Sequence, residues 1–339
     1  MIPAFDFILA IVLPLLGWRL LASEDLFRAI VLFISFGLLM ALTWMRLQAP
    51  DVALAEAAIG AALTGALFLS AFRRMERRVK GERRLDPEAR GGEPNWVKKK
   101  KGRRLNSLAY AVALLLLAAF FFLLCQVLLS APAESPGLTA AIDGLMAMSG
   151  VANRVTAVLM NFRGYDTLLE LVVLLVAAIG VWSLRSVVPS TAGEEGPVPH
   201  TLVRLLAPLM VLISGYLVWQ GASTAGGAFQ AGAVLAGVGI LLLLASSGRT
   251  GRLTEGRLRG VLVCGPVVFL FAAATALPDG GLLRYPRTGA GAWILLIETA
   301  AALSIGTILA ALYAGGRPAS TAAGPEKEEE ESTAEAGEL

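Results

Sequence analysis

Apolar residues run along this chain in long blocks instead of alternating with polar ones. Residues 108–130 and 228–245, for example, carry no formal charge at all. A helix rises about 1.5 Å per residue, so about twenty apolar residues cross a hydrocarbon core of about 30 Å. Nine such spans can be drawn, near 2–18, 29–45, 50–72, 108–130, 167–184, 205–220, 228–245, 260–278 and 290–313. The first reaches spanning length only by taking in Asp6. It lacks a basic start and a small-residue cleavage site, which argues against a removed signal peptide. The expected fold class is all-α, a polytopic transmembrane helix bundle. Strands of a soluble α/β enzyme would be shorter and more punctuated.

Composition agrees: 56% of residues are hydrophobic and 16% charged, too apolar for a soluble domain of 339 residues. Cys125 and Cys264 both fall inside spans, where they read as small packing residues without a disulfide framework or metal spacing. His200 stands near a span start and reads as a loop histidine.

Charge changes the picture by giving direction. The net charge is +3, but residues 73–104 hold fourteen Lys or Arg against five acids. The positive-inside rule makes this loop cytoplasmic, so a nucleic-acid patch is not needed to explain it. Counting spans outward puts the N-terminus outside and the C-terminus inside. The loop at 246–259, with Arg249, Arg252, Arg257 and Arg259, then also falls inside. Trp18 and Trp182 lie at inner ends and Trp44, Trp219 and Trp293 at outer ends, as an aromatic belt does. The expected organisation is a three-span segment (1–75), a basic cytoplasmic loop (76–106), a two-span segment (107–187), a linker (188–199), a four-span domain (200–316) and a disordered acidic tail (317–339). Residues 138–148, in a long outer connection, are expected to form a helix along the membrane surface.

Acids inside such spans cost about 2.5–3.5 kcal/mol each on insertion scales, so each needs a reason. In Pro50-Asp-Val-Ala-Leu-Ala-Glu-Ala57, Pro50 suits the first helical turn and Asp51 the positive end of the dipole. Glu56 sits about 9 Å into the span, beyond that dipole, among small residues. Ala61 and Gly65, four apart, allow close helix approach. Asp166 and Glu170 lie one turn apart on one face, about 6 Å inside for Glu170. Asp166 can cap the helix start, the pair can share a proton or cation, or Arg163 can neutralise one of them. Glu298 is the deepest acid, about 12 Å from the outer end of the last span. For Glu56 and Glu298 the plain alternative to proton or cation handling is an interhelical hydrogen bond. Residues 221–232, Gly-Ala-Ser-Thr-Ala-Gly-Gly-Ala-Phe-Gln-Ala-Gly, lack a P-loop's Lys-Ser/Thr ending and follow no strand. Their glycines permit a tight non-helical passage, with Gln230 placed to meet an ion or a neighbouring subunit. No Lys or Arg falls within the spans as drawn, and no cofactor, metal or hydrolase motif is present.

These residues carry a family resemblance. Pro50-Asp-Val-Ala-Leu-Ala-Glu-Ala57 resembles the third span of MbhD-like segments, with Ala55 where Thr is usual. Asn153-Arg-Val-Thr-Ala-Val-Leu and Phe162-Arg-Gly-Tyr-Asp-Thr-Leu-Leu-Glu170 resemble the MbhE-like segment. Residues 199–316 are similar to the MnhB/MrpB subunit, through the hairpin at 221–232 and Glu298. In that hairpin Ala222, Ala225 and Ala228 replace the usual His, Pro and Gly.

Together the three segments resemble a fusion of neighbouring parts of an Mrp-type multisubunit Na+/H+ antiporter. The resemblance implies a secondary-transporter subunit in a bacterial or archaeal inner membrane, not an enzyme. It would have no cofactor or metal, would not bind nucleic acid, and would be surrounded by lipid. Its implied partners are large proton-pumping antiporter-like subunits and small C-, D-, E-, F- and G-type subunits, with Na+ and protons as cargo. Glu56, Asp166, Glu170 and Glu298 are the implied ion-path residues, with Asp51, Arg163 and Gln230 as structural or path residues. A redox-driven module related to hydrogenase or complex I, and a non-conducting scaffold, are the competing readings.

Overall fold

The structure is a computed structural model describing residues 3–85, 107–132, 137–184, 197–245, 255–275, 277, 283, 285 and 289–315. Its helices are α1 (Pro3–Leu21), α2 (Leu26–Arg46), α3 (Pro50–Ala55), α4 (Thr64–Leu85), α5 (Ser107–Ser130), α6 (Thr139–Ser149), α7 (Arg154–Thr156), α8 (Gly164–Leu184), α9 (Pro197–Gly221), α10 (Ala228–Ala245), α11 (Glu255–Thr275) and α12 (Ala290–Ala314). Two π-helical stretches, Glu56–Leu63 and Ala157–Phe162, interrupt the series. Among the described residues, nine helices are long and apolar enough to cross a membrane, at the nine places the hydropathy pattern marks. Residues 86–106, most of the basic loop, and the acidic tail lie outside the described residues, as does most of the 188–199 linker.

Helix ends extend past the apolar blocks. α4 runs to Leu85, well into the basic segment, because Arg, Lys and Glu are good helix formers once the apolar run stops. The same extension corrects the expectation that spans hold no basic residue. Arg19, Arg28, Arg46, Arg73, Arg204, Arg257 and Arg259 all fall within spanning helices, each near an end. Arg46 has a specific use: it donates two hydrogen bonds to Asp6, at 2.7 and 2.9 Å, tying α2 to α1. The acid that weakened the first span is therefore paired. At the other end of α2, Asp25 caps the helix by accepting from the Phe27 N–H at 2.9 Å. The helix expected near 138–148 forms as α6.

The chain divides into two compact units, Met1–Phe68 with Gly144–Leu339, and Leu69–Asp143. α5 belongs to the second. It exposes apolar side chains on every side, including Leu114, Leu117, Phe121 and Leu128. A helix apolar all round is at home in lipid.

The core of the first unit lies along α12, which packs against both α10 and α11, with α8 beside them. In lipid the hydrophobic effect does not draw helices together, so close packing and hydrogen bonds do. Ser214 on α9 donates to Ala231 O at 3.0 Å, and Ser304 on α12 to Leu262 O at 2.5 Å. α10 and α12 meet where Gly232 faces Ile305, so close that a β-carbon at Gly232 would stand 2.7 Å from Ile305 Cγ2. Gly232→Val should therefore separate the two helices. The expected cost is about 1–3 kcal/mol from overpacking, read as a lower melting temperature of the purified chain. Ala61, fully buried, packs against Gly37 of α2, and Gly65 lies under Ile34, which is the close approach the small residues imply. Between α11 and α12, Tyr285 is partly buried against this core. Its hydroxyl has no hydrogen-bond partner among the described residues, and burial pushes its ionisation well above the usual tyrosine range.

Candidate functional site

The site assembles around the non-helical passage between α9 and α10. Gly226 and Gly227 turn the chain. Gly227 has φ +108°, a conformation that side-chain-bearing residues rarely adopt, and its N–H closes the turn on Leu217 O at 2.8 Å. α10 then starts at Ala228, and its first N–H groups have no partner within the helix. Other helices take up groups at this turn. The Gly226 N–H donates to Asp51 Oδ1 at 3.1 Å, the Gln230 side-chain amide to Asp51 O at 3.1 Å, and the Ala228 N–H to the Glu298 carboxylate.

Two acids from distant parts of the sequence thus converge on one short stretch of backbone. Asp51 comes from the first turn of α3 and Glu298 from the third turn of α12. The positive end of the α10 dipole favours carboxylates there. Glu298 is 2% exposed, and its Oε2 has no hydrogen-bond partner among the described residues. It is flanked on its own helix by buried Ile294, Ile297, Ala301 and Ala302. Gly227 leaves the space that Glu298 uses: a β-carbon there would stand 2.9 Å from Glu298 Oε1 and 3.7 Å from Gln230 Oε1.

The hairpin is also gripped from the 150s. Asn153 donates through Nδ2 to Thr224 O at 2.7 Å and caps α7 by accepting from the Val155 N–H at 2.9 Å. The N–H groups of Ala152 and Asn153 both donate to Ala222 O, and Thr156 Oγ1 donates to Gly221 O at 2.6 Å. Asn161 and Thr167 fasten the same segment internally, to Ser149 O at 3.0 Å and Leu159 O at 2.7 Å.

The remaining candidate acids stand elsewhere. Glu56 is half-buried at the start of the first π-helical stretch, with its carboxylate folded over Gly60, where a β-carbon would collide with it. Such wide turns are frequent at functional places in helices. Asp166 does not cap α8. It is bound by Arg163 at 2.5 Å, because Arg163 ends the second π-helical stretch three residues before it. Neutralisation by Arg163 is thus the alternative realised. Asp166 and Glu170 line one pocket of about 590 Å³ with Leu169, Val173, Leu174 and Phe229, so their common face is real, and Glu170 is exposed. Gln230 donates through its side-chain amide to Asp51 O, tying α10 to α3. Among the described residues, no three His, Cys, Asp or Glu side chains group as metal ligands do.

The sequence reading missed Asn153, Thr156, Asn161 and Thr167 as fasteners. Their signal was present, since polar residues cluster within an otherwise apolar motif, but the acids alone drew attention. For Asp51, spacing shows a helix-dipole role and the resemblance a structural or path role, but its hairpin partner lies 175 residues away and is not visible in the sequence.

Known proteins resemble this chain in sequence and in fold. Residues 11–77 match the family model MbhD, the D subunit of MBH, and residues 198–315 match a domain related to the MnhB subunit of Na+/H+ antiporter. A protein of Rhizobium meliloti (strain 1021), named as the A/B subunit of a probable K(+)/H(+) antiporter, is 24% identical over 320 residues, covering 86% of this chain and 29% of that protein. The chain is a fusion of an MbhD-like module and a module related to the MnhB subunit. A protein of Staphylococcus aureus (strain JH9) bearing the name antiporter subunit mnhA2 is 25% identical over 184 residues, covering 53% of this fusion and 20% of the relative. The fusion therefore spans less than a third of the length of these relatives. In three dimensions it resembles a chain of the Mrp complex from Dietzia sp. DQ12-45-1b, with a TM-score of 0.70 at 21% identity over 95% of this chain and 36% of that one. It also resembles a chain of the membrane-bound sulfane sulfur reductase, an archaeal respiratory membrane complex, with a TM-score of 0.52 at 26% identity over 60% of this chain and 96% of that one.

Proposed function

We propose that this Mrp-type fusion contributes intramembrane carboxylates to the ion path of a multisubunit monovalent cation/proton antiporter. The observation that carries the reading is the convergence of Asp51 and Glu298, both on spanning helices, on the hairpin backbone between α9 and α10, with one Glu298 oxygen unpartnered among the described residues. A purely structural acid would spend both oxygens on hydrogen bonds, because a bare buried one costs about 1–3 kcal/mol. Glu298 is the central carrier in this reading. Glu56, in its widened helix, and Glu170, in its pocket, are further stations. Asp51 and Gln230 hold the hairpin, and Arg163 neutralises Asp166.

Na+ is the proposed counter-ion, and the large and small antiporter subunits are the proposed partners. The name of the Rhizobium meliloti relative makes K+ the alternative cation. The middle segment, 107–187, is assigned to the MbhE-like part. The positively charged loop gives the proposed topology in an inner membrane, N-terminus outside and C-terminus inside.

The test is exchange in inverted membrane vesicles carrying the assembled complex. Glu298→Gln should lower cation/proton exchange at least tenfold while the complex still copurifies intact. Glu56→Gln should do the same. Full exchange in the Glu298 variant rejects the reading. Lost assembly at normal specific turnover favours a scaffold. A second reading, a membrane module driven by redox chemistry, is favoured by the likeness to the sulfane sulfur reductase chain. Exchange that requires an added electron donor would select it.

A further inference from the structure

We infer that Glu298 is a proton site that does not bind Na+ or K+. The inference rests on the ion-path reading and names the ligand its central group takes. A dehydrated metal cation needs a shell of several oxygen ligands to replace its water. The groups around Glu298 are mostly donors. Ala228 gives its N–H to the carboxylate, Gly226 gives its N–H to Asp51, and the Gln230 amide donates to the Asp51 carbonyl. The side-chain oxygen that shares the space at Gly227 with Glu298 is Gln230 Oε1. Asp51 is the other acid near, but its Oδ1 is taken by Gly226 and its carbonyl by Gln230, and among the described residues no third acid joins the two, which makes too small a shell for a metal ion.

A proton needs one atom, and Glu298 Oε2 is that atom, buried and unpartnered among Ile294, Ile297 and Ala301. Protonation there removes a charge that no hydrogen bond to Oε2 offsets among the described residues. The other oxygen keeps its bond from Ala228.

The groups facing this acid from the packed elements are few. Asp51 of α3 is the charged one. From α11, the Cys264 thiol donates to Ala300 O at 3.3 Å. α10 brings the uncharged Gln230 and α9 the Ser214 hydroxyl, which is spent on Ala231 O. The acids of α8, Asp166 and Glu170, open into their own pocket, which Phe229 helps to line. Asp51 accepts from the Gly226 N–H beside the positive end of α10.

Infrared spectroscopy of the assembled complex in membranes tests this. A protonated carboxyl has a carbonyl band separate from that of a carboxylate. The band lost in Glu298→Gln is the Glu298 band. It should be present at low pH, disappear as pH rises, and stay unchanged when Na+ or K+ is added at fixed pH. Loss of the band on adding either cation, or its absence at every pH, overturns the inference. If Glu298→Gln does not accumulate, Glu298→Asp with carboxyl-labelled glutamate makes the same assignment. A cation-insensitive titrating band together with unimpaired exchange in Glu298→Gln would leave the proton site standing and sink the ion-path reading instead.

Discussion

Gly227→Val should abolish exchange and also lower the melting temperature of the complex, the largest effect expected of any single substitution in this chain. Two costs add at this position. Its φ of +108° is strained for any residue with a β-carbon, at about 1–3 kcal/mol. The new side chain would also begin 2.9 Å from Glu298 Oε1, displacing the carboxylate from the Ala228 N–H. Displacement exposes a second unsatisfied carboxylate oxygen to an apolar surrounding, for about 1–3 kcal/mol more. Against a total stability of about 5–15 kcal/mol, that sum is large. Gly227→Ala keeps the backbone strain and the 2.9 Å approach of the β-carbon to Glu298 but adds none of valine's further bulk. It should retain part of the assembly while losing most of the exchange. Equal loss of both in the two variants would make the position a plain folding site.

This expectation shows what the amino-acid order did and did not reveal. The nine spans were legible because lipid imposes a simple length rule on apolar runs. The close approach at Ala61 was legible because small residues at helical spacing have few other uses in a membrane. Helix ends were not, since Arg and Lys continue a helix after the apolar signal stops, as α4 does to Leu85. The acids could be found one at a time, but their grouping could not. Asp51 and Glu298 are joined by the backbone N–H groups of 226 and 228, and backbone donors have no letter in a sequence. Arg163 and Asp166, three apart, could be paired by helical spacing, and the structure pairs them. The common principle is range: contacts within one helix follow from spacing, whereas contacts between modules need the fold.

The second large expectation concerns the seam between the 150s and the hairpin. Asn153→Ala removes both ends of one side chain's work. Its Oδ1 caps α7 at Val155, a contribution of about 0.5–2 kcal/mol. Its Nδ2 satisfies Thr224 O, and the acceptor left behind costs about 1–3 kcal/mol if water cannot reach it. The total, about 1.5–5 kcal/mol, should appear as a lower midpoint in denaturant titration of the detergent-solubilised chain. Asn153→Asp keeps the cap and loses the donor, so it should recover the cap's share and no more. The effect should also reach the acids. The backbone of 152–153 holds Ala222 O, and Thr156 holds Gly221 O, on the same turn whose far side carries Asp51 and Glu298. Loosening one side of a short hairpin frees the other. Exchange should therefore fall in Asn153→Ala by more than the loss of assembled complex accounts for, although Asn153 itself carries no charge. Exchange that falls only in proportion to assembled complex would confine Asn153 to holding the modules together.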